Sequence, residues 1–283
     1  MLKTKSKMAL ARVLSRAILV PRRILGLGAE VRVNRGGIDW RLNLEEGIDL
    51  AIYLFGAFER GTQRVFMRSI RPGDVVLDIG ANIGAHTLRL AEAVGPAGKV
   101  IAVEPAAYAF RRLMQLLGDN PPLASVVVPK QMLLSSPERQ ALPAAIYSRW
   151  SLAAGGAEPR HEVHEGIAEA TLGAEVRTLD QLVAEVGLTR VDFIKIDVDG
   201  WEVDVFRGAR DVLTRFKPTI LMELAPYVLA EHGRGTDELL GILTDAGYSF
   251  AELSQRPIGD IRSFARRVPQ GAGVNVLAKH SAN

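Results

Sequence analysis

The stretch that decides the fold is residues 75–84, which reads VVLDIGANIG. Its first five residues are apolar except Asp78, as expected for a short strand that is buried on both faces of a parallel sheet. A turn containing glycine follows, and the apolar spacing of residues 85–94 is that of an amphipathic helix. The stretch therefore predicts a strand, a tight turn and a helix in direct succession.

The same rhythm of strands and helices continues along the chain. Apolar runs predict further strands at residues 99–103, 125–128, 191–196, 219–223, 249–253 and 274–278. Helical spacing predicts helices at residues 107–117, 178–186, 203–213 and 236–246. The alternation predicts an α/β fold, with a Rossmann-like, doubly wound and mostly parallel sheet that has helices on both faces. In such sheets, ligands bind beyond the carboxyl ends of the strands.

Two segments depart from this rhythm. Residues 1–58 are predicted to form a small N-terminal extension, with a basic helix at 8–20, a hairpin at 31–44 and a helix over 47–67 that breaks near Gly56. Residues 59–283 are predicted to form the main domain. Within it, residues 135–174 carry scattered Pro and Gly and predict an irregular insertion, which in a compact domain is usually functional or disordered.

The composition excludes several classes of function. The chain has 35 Lys and Arg against 32 Asp and Glu, a net charge of +3, which does not indicate a nucleic-acid-binding protein. It has no Cys, which excludes disulfides, thiolate metal sites and a cysteine nucleophile. No apolar run approaches the ~20 residues of a membrane-spanning helix. Because Arg12 and Arg16 also interrupt the apolar core that a signal peptide needs, we expect a cytoplasmic protein.

Positive charge is concentrated at the N-terminus. The cations that precede the first acid, Glu30, are Lys3, Lys5, Lys7, Arg12, Arg16, Arg22 and Arg23. Together with apolar residues at helical spacing they predict a basic amphipathic helix, which is typical of peripheral contact with an anionic membrane surface, here the inner face of a membrane. The alternative is a solvated helix that packs on the domain.

Three residues around the glycine turn indicate a ligand that contains a nucleoside. Asp78 ends the first strand and can accept a hydrogen bond from an ammonium group. Gly80 allows a ligand to approach the backbone closely. Glu104 ends the next strand, twenty positions after Gly84, where a carboxylate can accept both hydroxyls of an adenosine ribose. The alternative is an ordinary glycine turn in which Asp78 caps the helix.

The details of the turn favour S-adenosyl-L-methionine over NAD. A dinucleotide-binding turn reads G-x-G-x-x-G, and its second glycine lets the backbone approach a pyrophosphate. Here Asn82 replaces that second glycine and Ala85 replaces the third. The turn therefore suits a ligand that has an amino-acid end and a ribose but no pyrophosphate. NAD stays the alternative, as the cofactor of a dehydrogenase or epimerase.

The motifs and their order resemble the FkbM family of methyltransferases over residues 59–248. The matching segments are 72–84 (PGDVVLDIGANIG) with Thr87, 103–105 (VEP), 178–180 (TLD), 191–200 (VDFIKIDVDG), Glu202, 207–209 (RGA), Pro218 and Glu223. Asp199 departs from the family pattern, which has Glu there. The resemblance implies methyl transfer to a hydroxyl of a small-molecule or glycan acceptor: a sugar, a lipid-linked glycan or a natural product. The residues implied to bind the cofactor are Asp78, Gly80, Asn82, Gly84, Thr87 and Glu104.

Transfer of a methyl group to a hydroxyl needs an aligned acceptor and a group that takes its proton. Asp197 ends a central strand and is the first candidate for this catalytic role, with Asp199 and Glu202 next. The alternative is that Asp197 or Asp199 caps the helix that begins near Trp201. Asp197, Asp199 and Glu223 also have the oxygen ligands that Mg²⁺ prefers, so a magnesium ion is a further hypothesis.

Other side chains and other functions are open alternatives. His161 and His164 lie in the insertion, where either can serve as a base, although we expect both to be exposed. Lys195, on an otherwise apolar strand, predicts a buried salt bridge to a carboxylate. A non-catalytic α/β scaffold would have lost the cofactor residues. A nucleic-acid methyltransferase would carry a base-flipping signature, and we find none.

Overall fold

The computed structural model describes residues 4–139, 141–153 and 159–281. Its helices are α1 (Thr4–Ile24), α2 (Gly47–Phe55), α3 (Arg60–Ser69), α4 (Thr87–Val94), α5 (Ala107–Asp119), α6 (Pro121–Ala124), α7 (Leu179–Val186), α8 (Glu202–Arg207), α9 (Pro226–Glu231), α10 (Thr236–Asp245) and α11 (Ile261–Arg266), with a π-helical turn at Val212–Phe216. Its strands are β1 (Glu30–Arg35), β2 (Ile38–Asn43), β3 (Val75–Ile79), β4 (Lys99–Val103), β5 (Val127–Lys130), β6 (Met132–Leu134), β7 (Ala145–Arg149), β8 (Ile167–Ala170), β9 (Glu175–Arg177), β10 (Phe193–Ile196), β11 (Thr219–Leu224), β12 (Tyr248–Glu252), β13 (Pro257–Ile258) and β14 (Val274–His280).

The central sheet has eight strands in the order β13-β12-β14-β11-β10-β3-β4-β5. Strands β5, β4, β3, β10 and β11 are parallel, and β14 runs antiparallel between β11 and β12. The chain winds outward from β3 through β4 to β5 and then returns to β10 on the other side of β3. The predicted doubly wound, mostly parallel sheet is confirmed. Its order reverses between β3 and β10, which is where ligands bind in open α/β sheets.

Alternating side chains on the central strands build two hydrophobic layers. Val76 and Phe193 pack in the layer that contains residues of α3, α4 and α5, whereas Leu77 and Ile194 pack in the layer of α7, α8 and α10. Successive residues of a strand point to opposite faces, so a strand covered on both sides must be apolar throughout. Any polar residue inside β3 or β10 therefore faces a helix layer and needs a partner there.

The N-terminal extension has the predicted elements with different bounds. The hairpin of β1 and β2 forms, and its turn uses Gly36 and Gly37 at φ of 60° and 82°. The helix predicted at 8–20 extends over Thr4–Ile24. The helix predicted at 47–67 breaks as expected, because Gly56 adopts a left-handed conformation after α2. The hairpin residues Ile38, Trp40 and Leu42 share the hydrophobic layer of α4 and α5, and a domain boundary at residue 58 stays a prediction.

The insertion is more regular than the sequence indicates, so the expectation of an irregular segment is wrong in part. Within residues 135–174, strands β7 and β8 pair as an antiparallel hairpin, and β6 and β9, which flank this segment, pair in parallel. These strands have three to five residues each, too few for alternation to be evident in the sequence. Gln140 and residues 154–158 of the insertion lie outside the described residues. The helix predicted at 203–213 is likewise interrupted, since α8 ends before Gly208.

Candidate active site

Asp78 and Lys195 form a buried ion pair at the point where the strand order reverses. The two are direct register partners on β3 and β10, so both side chains enter the layer of α3 and α4. Lys195 Nζ lies 3.5 Å from Asp78 Oδ1 and donates a hydrogen bond to the Gly80 carbonyl at 2.8 Å. Burial alone would lower the pKa of Lys195, but the charges of Asp78, Asp197 and Glu59 outweigh it and raise the pKa. The predicted salt bridge of Lys195 is confirmed.

Asp78 retains hydrogen-bonding capacity although its side chain is fully buried. Its Oδ2 accepts a hydrogen bond of 2.6 Å from the hydroxyl of Thr87, the first residue of α4. Its Oδ1 has the Lys195 ammonium at 3.5 Å and no hydrogen bond to any other residue that the structure describes. A buried carboxylate oxygen without a full partner is uncommon, and a bound donor would satisfy it.

Glu104 lies at the end of β4, beside the glycine turn of residues 80–84, which is called the cofactor turn below after its predicted role. Its Oε2 accepts a hydrogen bond of 2.9 Å from the Asn82 N–H, and its Oε1 accepts one of 2.8 Å from the Ala106 N–H. Burial raises the pKa of Glu104 to about 7, and these two hydrogen bonds oppose the rise. Each carboxylate oxygen accepts more than one hydrogen bond, so the group can still accept from two hydroxyls.

The glycines of the turn are required by the chain itself. A Cβ on Gly80, at φ of 75°, would lie 1.9 Å from the carbonyl oxygen of Asp197. A Cβ on Gly84, at φ of 87°, would lie 2.8 Å from side-chain carbons of Leu113 and of Leu116 on α5. The sequence analysis attributed Gly80 to the approach of a ligand. The structure instead gives the close approach of β3 and β10 as a sufficient reason, and ligand contact at both glycines stays a prediction.

Asn82 connects the cofactor turn to the insertion. Its backbone is left-handed at φ of 49°, which Asn tolerates better than most residues. Its Nδ2 donates a 2.7 Å hydrogen bond to the carbonyl of Ser148 on β7, and its Oδ1 accepts from the Ile83 N–H at 2.8 Å. The insertion hairpin therefore contacts the turn directly, an arrangement that the sequence did not predict.

Three of the carboxylates singled out from the sequence meet at the carboxyl edge. Oxygen atoms of Asp197, Asp199 and Glu223 lie within 4.8 Å of one another. Burial raises the pKa values of Asp199 and Glu223 well above their ordinary range, and the charge of Asp197 raises them further. All three side chains keep partial exposure, as a group that meets an acceptor needs.

Glu202 has a different position from these three. Its Oε1 accepts from the N–H groups of Val198 and Gly200 at 3.3 and 3.4 Å, so the carboxyl group holds the turn that carries Asp197 and Asp199. Burial raises the pKa of Glu202 to about 7. The first turn of α8 has no side-chain cap, since its N-cap residue is Trp201. The alternative that Asp197 or Asp199 caps this helix is therefore wrong.

Two residues near the ion pair were missed by the sequence analysis. Glu59, immediately before α3, accepts hydrogen bonds from Thr62 at 3.0 Å and from Asn275 at 3.2 Å. His86 is buried, and neither of its ring nitrogens has a hydrogen bond to the described residues. Burial lowers the pKa of His86 to about 3, and the charge of Lys195 lowers it further, so the imidazole is neutral. The position of His86 directly after the glycine turn is the signal that sequence reasoning could have used.

The expectation that His161 and His164 are both exposed is wrong. Their rings stack with centroids 3.8 Å apart, Tyr147 packs against the edges of both, and His164 is buried. The Nδ1 atom of each ring accepts hydrogen bonds from backbone N–H groups, which places the proton on Nε2. Nε2 of His161 lies 3.2 Å from a carboxylate oxygen of Glu231. With Nε2 protonated, these rings are poor metal ligands.

The doubly wound sheet, with carboxylates on the neighbouring strands at its switch point, defines an open α/β protein whose ligand site lies at the carboxyl ends of the strands. The family model for the methyltransferase FkbM domain matches residues 78–250. The chain therefore belongs to the FkbM methyltransferase family, as its motifs predicted.

Individual relatives show the same similarity. The chain is 28% identical over 199 residues to the 2-O-methyltransferase NoeI of Sinorhizobium fredii, covering 67% of this chain and 77% of NoeI. It is 33% identical over 183 residues to the AMB antimetabolite synthetase AmbE of Pseudomonas aeruginosa, covering 54% of this chain but only 8% of AmbE. Among solved structures it is similar to the methyltransferase FkbM of Methylobacillus flagellatus, at 17% identity and a TM-score of 0.44, with 76% of this chain and 50% of that chain covered.

Proposed function

We propose that this protein transfers a methyl group from S-adenosyl-L-methionine to a hydroxyl of a sugar, a glycan, a lipid-linked glycan or a natural product. The observation that carries the proposal is the charge at the carboxyl edge of the sheet. Seven carboxyl groups interact there, with Lys195 paired to one of them; they belong to Glu59, Asp78, Glu104, Asp197, Asp199, Glu202 and Glu223. A cationic ligand would relieve the mutual repulsion that raises the pKa values of Asp199 and Glu223, so this concentration of carboxyl groups favours one.

The residues of the turn fit the proposed cofactor. S-adenosyl-L-methionine has an ammonium group, a ribose and a sulfonium, and the sulfonium supplies a methyl group that is reactive toward an oxygen nucleophile. Asp78 Oδ1 offers a buried acceptor for an ammonium donor, and Glu104 offers two oxygens for ribose hydroxyls. Thr87 positions Asp78 through the hydrogen bond to Oδ2. Asn82, Gly80 and Gly84 fix the backbone of the turn between these two acids.

The carboxylate cluster supports the second half of the reaction. The acceptor oxygen gains the methyl group as its bond to hydrogen breaks, and the proton needs a base. Asp199 and Glu223 have raised pKa values, and a carboxylate with a raised pKa is the better proton acceptor near neutral pH. In the proposal, Asp197 and Asp199 orient the hydroxyl and take its proton, while Glu202 holds their turn in position.

Binding of a magnesium ion is the other role that this carboxylate cluster allows. The separation of the oxygens of Asp197, Asp199 and Glu223 is compatible with a shared cation. The similarity to NoeI, a 2-O-methyltransferase, favours the role with a hydroxyl acceptor. We therefore assign the three carboxylates to the acceptor and its proton.

Calorimetric titration tests the cofactor assignment. The purified protein is titrated with S-adenosyl-L-methionine, S-adenosylhomocysteine and NAD, and the titrations are repeated with Glu104→Ala and with the control Asp245→Ala, which removes an exposed carboxylate at the end of α10. We expect micromolar binding of the first two ligands, and a loss of about tenfold or more in Glu104→Ala, because hydrogen bonds to a charged group contribute about 1.5–3 kcal/mol. The control should bind as the wild type does.

Two results would contradict the proposal. Binding of NAD alone would indicate a dehydrogenase or epimerase, and binding of none of the ligands by the folded wild-type protein would indicate a scaffold. Circular dichroism of each variant separates a lost ligand contact from a lost fold. Glu104→Gln, which keeps the size of the side chain, provides the second variant.

A further inference from the structure

Helix α1 has apolar residues on two opposite sides. Its inner side packs on the domain through Met8 and Leu19, which contact the cluster of Leu44, Leu50 and Leu152. Its outer face consists of Leu10, Val13, Val20 and Ile24, which are 57%, 63%, 54% and 80% exposed. At 100° per residue these four side chains fall within a sector of roughly 80°, on the side away from Met8 and Leu19. The apolar row continues past the helix in Leu25 and Leu27, which are 74% and 48% exposed.

The charges around the outer face have one sign. No acidic residue precedes Glu30. Among the described residues of α1, Arg12 pairs with Glu165 and Arg23 with Glu45, whereas Lys5, Lys7 and Arg16 are exposed and form no ion pair within the described part of the chain. Lys5 and Arg16 lie along one border of the outer face and Lys7 along the other. Lys3 lies outside the described residues.

We propose that the outer face of α1 binds an anionic lipid surface, with the helix lying in the plane of the membrane. Soluble proteins rarely expose a continuous row of large apolar side chains without a partner. A partner must cover that row and accept the cations that border it, and a layer of anionic headgroups over acyl chains does both. No helix among the described residues is long and apolar enough to cross a membrane, so the contact is peripheral.

The position of α1 connects this surface to the carboxylate cluster. The Thr4 N–H at the start of α1 donates to the carbonyl of Gly271 at 3.3 Å, and the Thr4 side chain lies beside that of Tyr227 on α9. Burial raises the pKa of Tyr227, and the charges of Glu223 and Asp199 raise it further. The helix therefore begins beside the cluster. A membrane bound along α1 would place a lipid-linked acceptor within about one helix length of it, a consequence that rests on the proposed function.

Vesicle cosedimentation tests the proposal with the wild type and three variants of the full chain. The outer-face variant carries Leu10→Gln, Val13→Gln, Val20→Gln and Ile24→Gln, which keep helix-forming side chains and leave the inner side intact. The cation variant carries Lys5→Gln, Lys7→Gln and Arg16→Gln. The control variant carries Met67→Gln, Met114→Gln and Leu172→Gln, which remove exposed apolar side chains elsewhere. Vesicles are phosphatidylcholine alone, or phosphatidylcholine with phosphatidylglycerol.

We expect the wild type and the control variant to bind the anionic vesicles at least about tenfold more tightly than the neutral ones, and to lose this binding in about 0.5 M salt. The outer-face and cation variants should each lose about tenfold or more of the affinity for anionic vesicles. Thermal unfolding and cofactor titration of each variant show that fold and cofactor site are intact, so a failure here is distinct from a failure of the proposed function.

Three results would overturn the proposal. One is a wild type that does not bind anionic vesicles. Another is an outer-face variant that binds them as well as the wild type. The third is a wild-type dimer in light scattering that the outer-face variant converts to a monomer, without vesicle binding in either, since the outer face would then bind a second copy of the chain.

Discussion

Individual residues of the cofactor turn stabilise the fold in addition to their proposed roles in binding. Gly80 lies where β3 and β10 approach each other, with no room for a side chain. Lys195 Nζ binds the Gly80 carbonyl and pairs with Asp78, so the turn and the ion pair support each other. A change at Gly80 should therefore affect the fold before it affects ligand binding.

Gly80→Ala should destabilise the protein by about 2–5 kcal/mol. The left-handed backbone costs a non-glycine residue roughly 1–2 kcal/mol, and the collision with the Asp197 carbonyl adds an overpacking cost of about 1–3 kcal/mol. The control is Gly187→Ala after α7, where φ is 68° and nothing lies within 4 Å of the added Cβ. It should cost only about 1 kcal/mol. Urea unfolding measures the free energy of unfolding of both variants. Equal losses of stability would show that the contact of the added Cβ with the Asp197 carbonyl contributes nothing.

At the scale of elements, part of the family signature forms a structural junction. Thr178 caps α7 through a capping box with Gln181. The Asp180 carboxylate accepts from the N–H groups of Asp211 and Val212, and its own N–H donates to the Gly208 carbonyl. The matching segments 178–180 and 207–209 therefore meet each other, on the side of the sheet that carries α7 and α8. Packing is therefore a sufficient structural reason for the residues of these two segments.

Gly208→Ala tests this junction. The added Cβ would lie 2.4 Å from the Ser135 carbonyl oxygen and 3.0 Å from the Thr178 Cβ. Overpacking of this kind costs about 1–3 kcal/mol. The control is Gly118→Ala on α5, which has open space and should be stabilised by about 0.5–1 kcal/mol because Ala is the better helix former. Titration of the folded Gly208→Ala variant with S-adenosyl-L-methionine should give the wild-type affinity. Weaker binding would show that the junction contributes to the cofactor site.

For the whole molecule, the dominant feature is the concentration of carboxyl groups at the carboxyl edge of the sheet. Burial raises the pKa values of Asp199, Glu202 and Glu223 in the folded protein. A carboxyl group with a raised folded pKa stabilises the protein fully below its unfolded pKa, and this contribution is lost as pH rises through the folded pKa. The buried histidines His86 and His164 have lowered pKa values of about 3 and 4. Their contribution to the free energy of unfolding therefore increases as pH rises, but only below about pH 7.

The free energy of unfolding of the ligand-free protein should therefore fall as pH rises above about 6.5, the ordinary pKa of the histidines, and through about 7, the folded pKa of Glu202. Each titrating group contributes at most about 1.4 kcal/mol per pH unit. Asp199→Asn removes one such group and suits the left-handed backbone of this position, so it should flatten the decrease. The exposed Asp245→Asn should leave it unchanged. Urea unfolding across this range measures the slope, and a wild type whose stability rises with pH would contradict the assignment.

The sequence by itself determined the features that depend on neighbours along the chain. The apolar run of β3, the glycine turn and α4 follow from periodicity and backbone preference within a few residues. The position of Glu104 follows from one strand–helix–strand unit. The isolated charge of Lys195 on an apolar strand required a buried partner, because an unpaired charge is too costly to bury. These local rules predicted the sheet, the edge of the sheet where ligands bind and the two acids of the cofactor turn.

Only the tertiary structure decided the features that join distant segments. Glu59 meets Asn275 across 216 positions, and Asn82 meets Ser148 across 66. The pairing of β7 with β8 and the stacking of His161 on His164 depend on how the insertion packs, and no periodic pattern encodes that. The outer face of α1 is evident only once the inner side is seen to be packed. Contacts of this kind depend on strand register and on the shape of the whole core, which short-range sequence patterns do not specify.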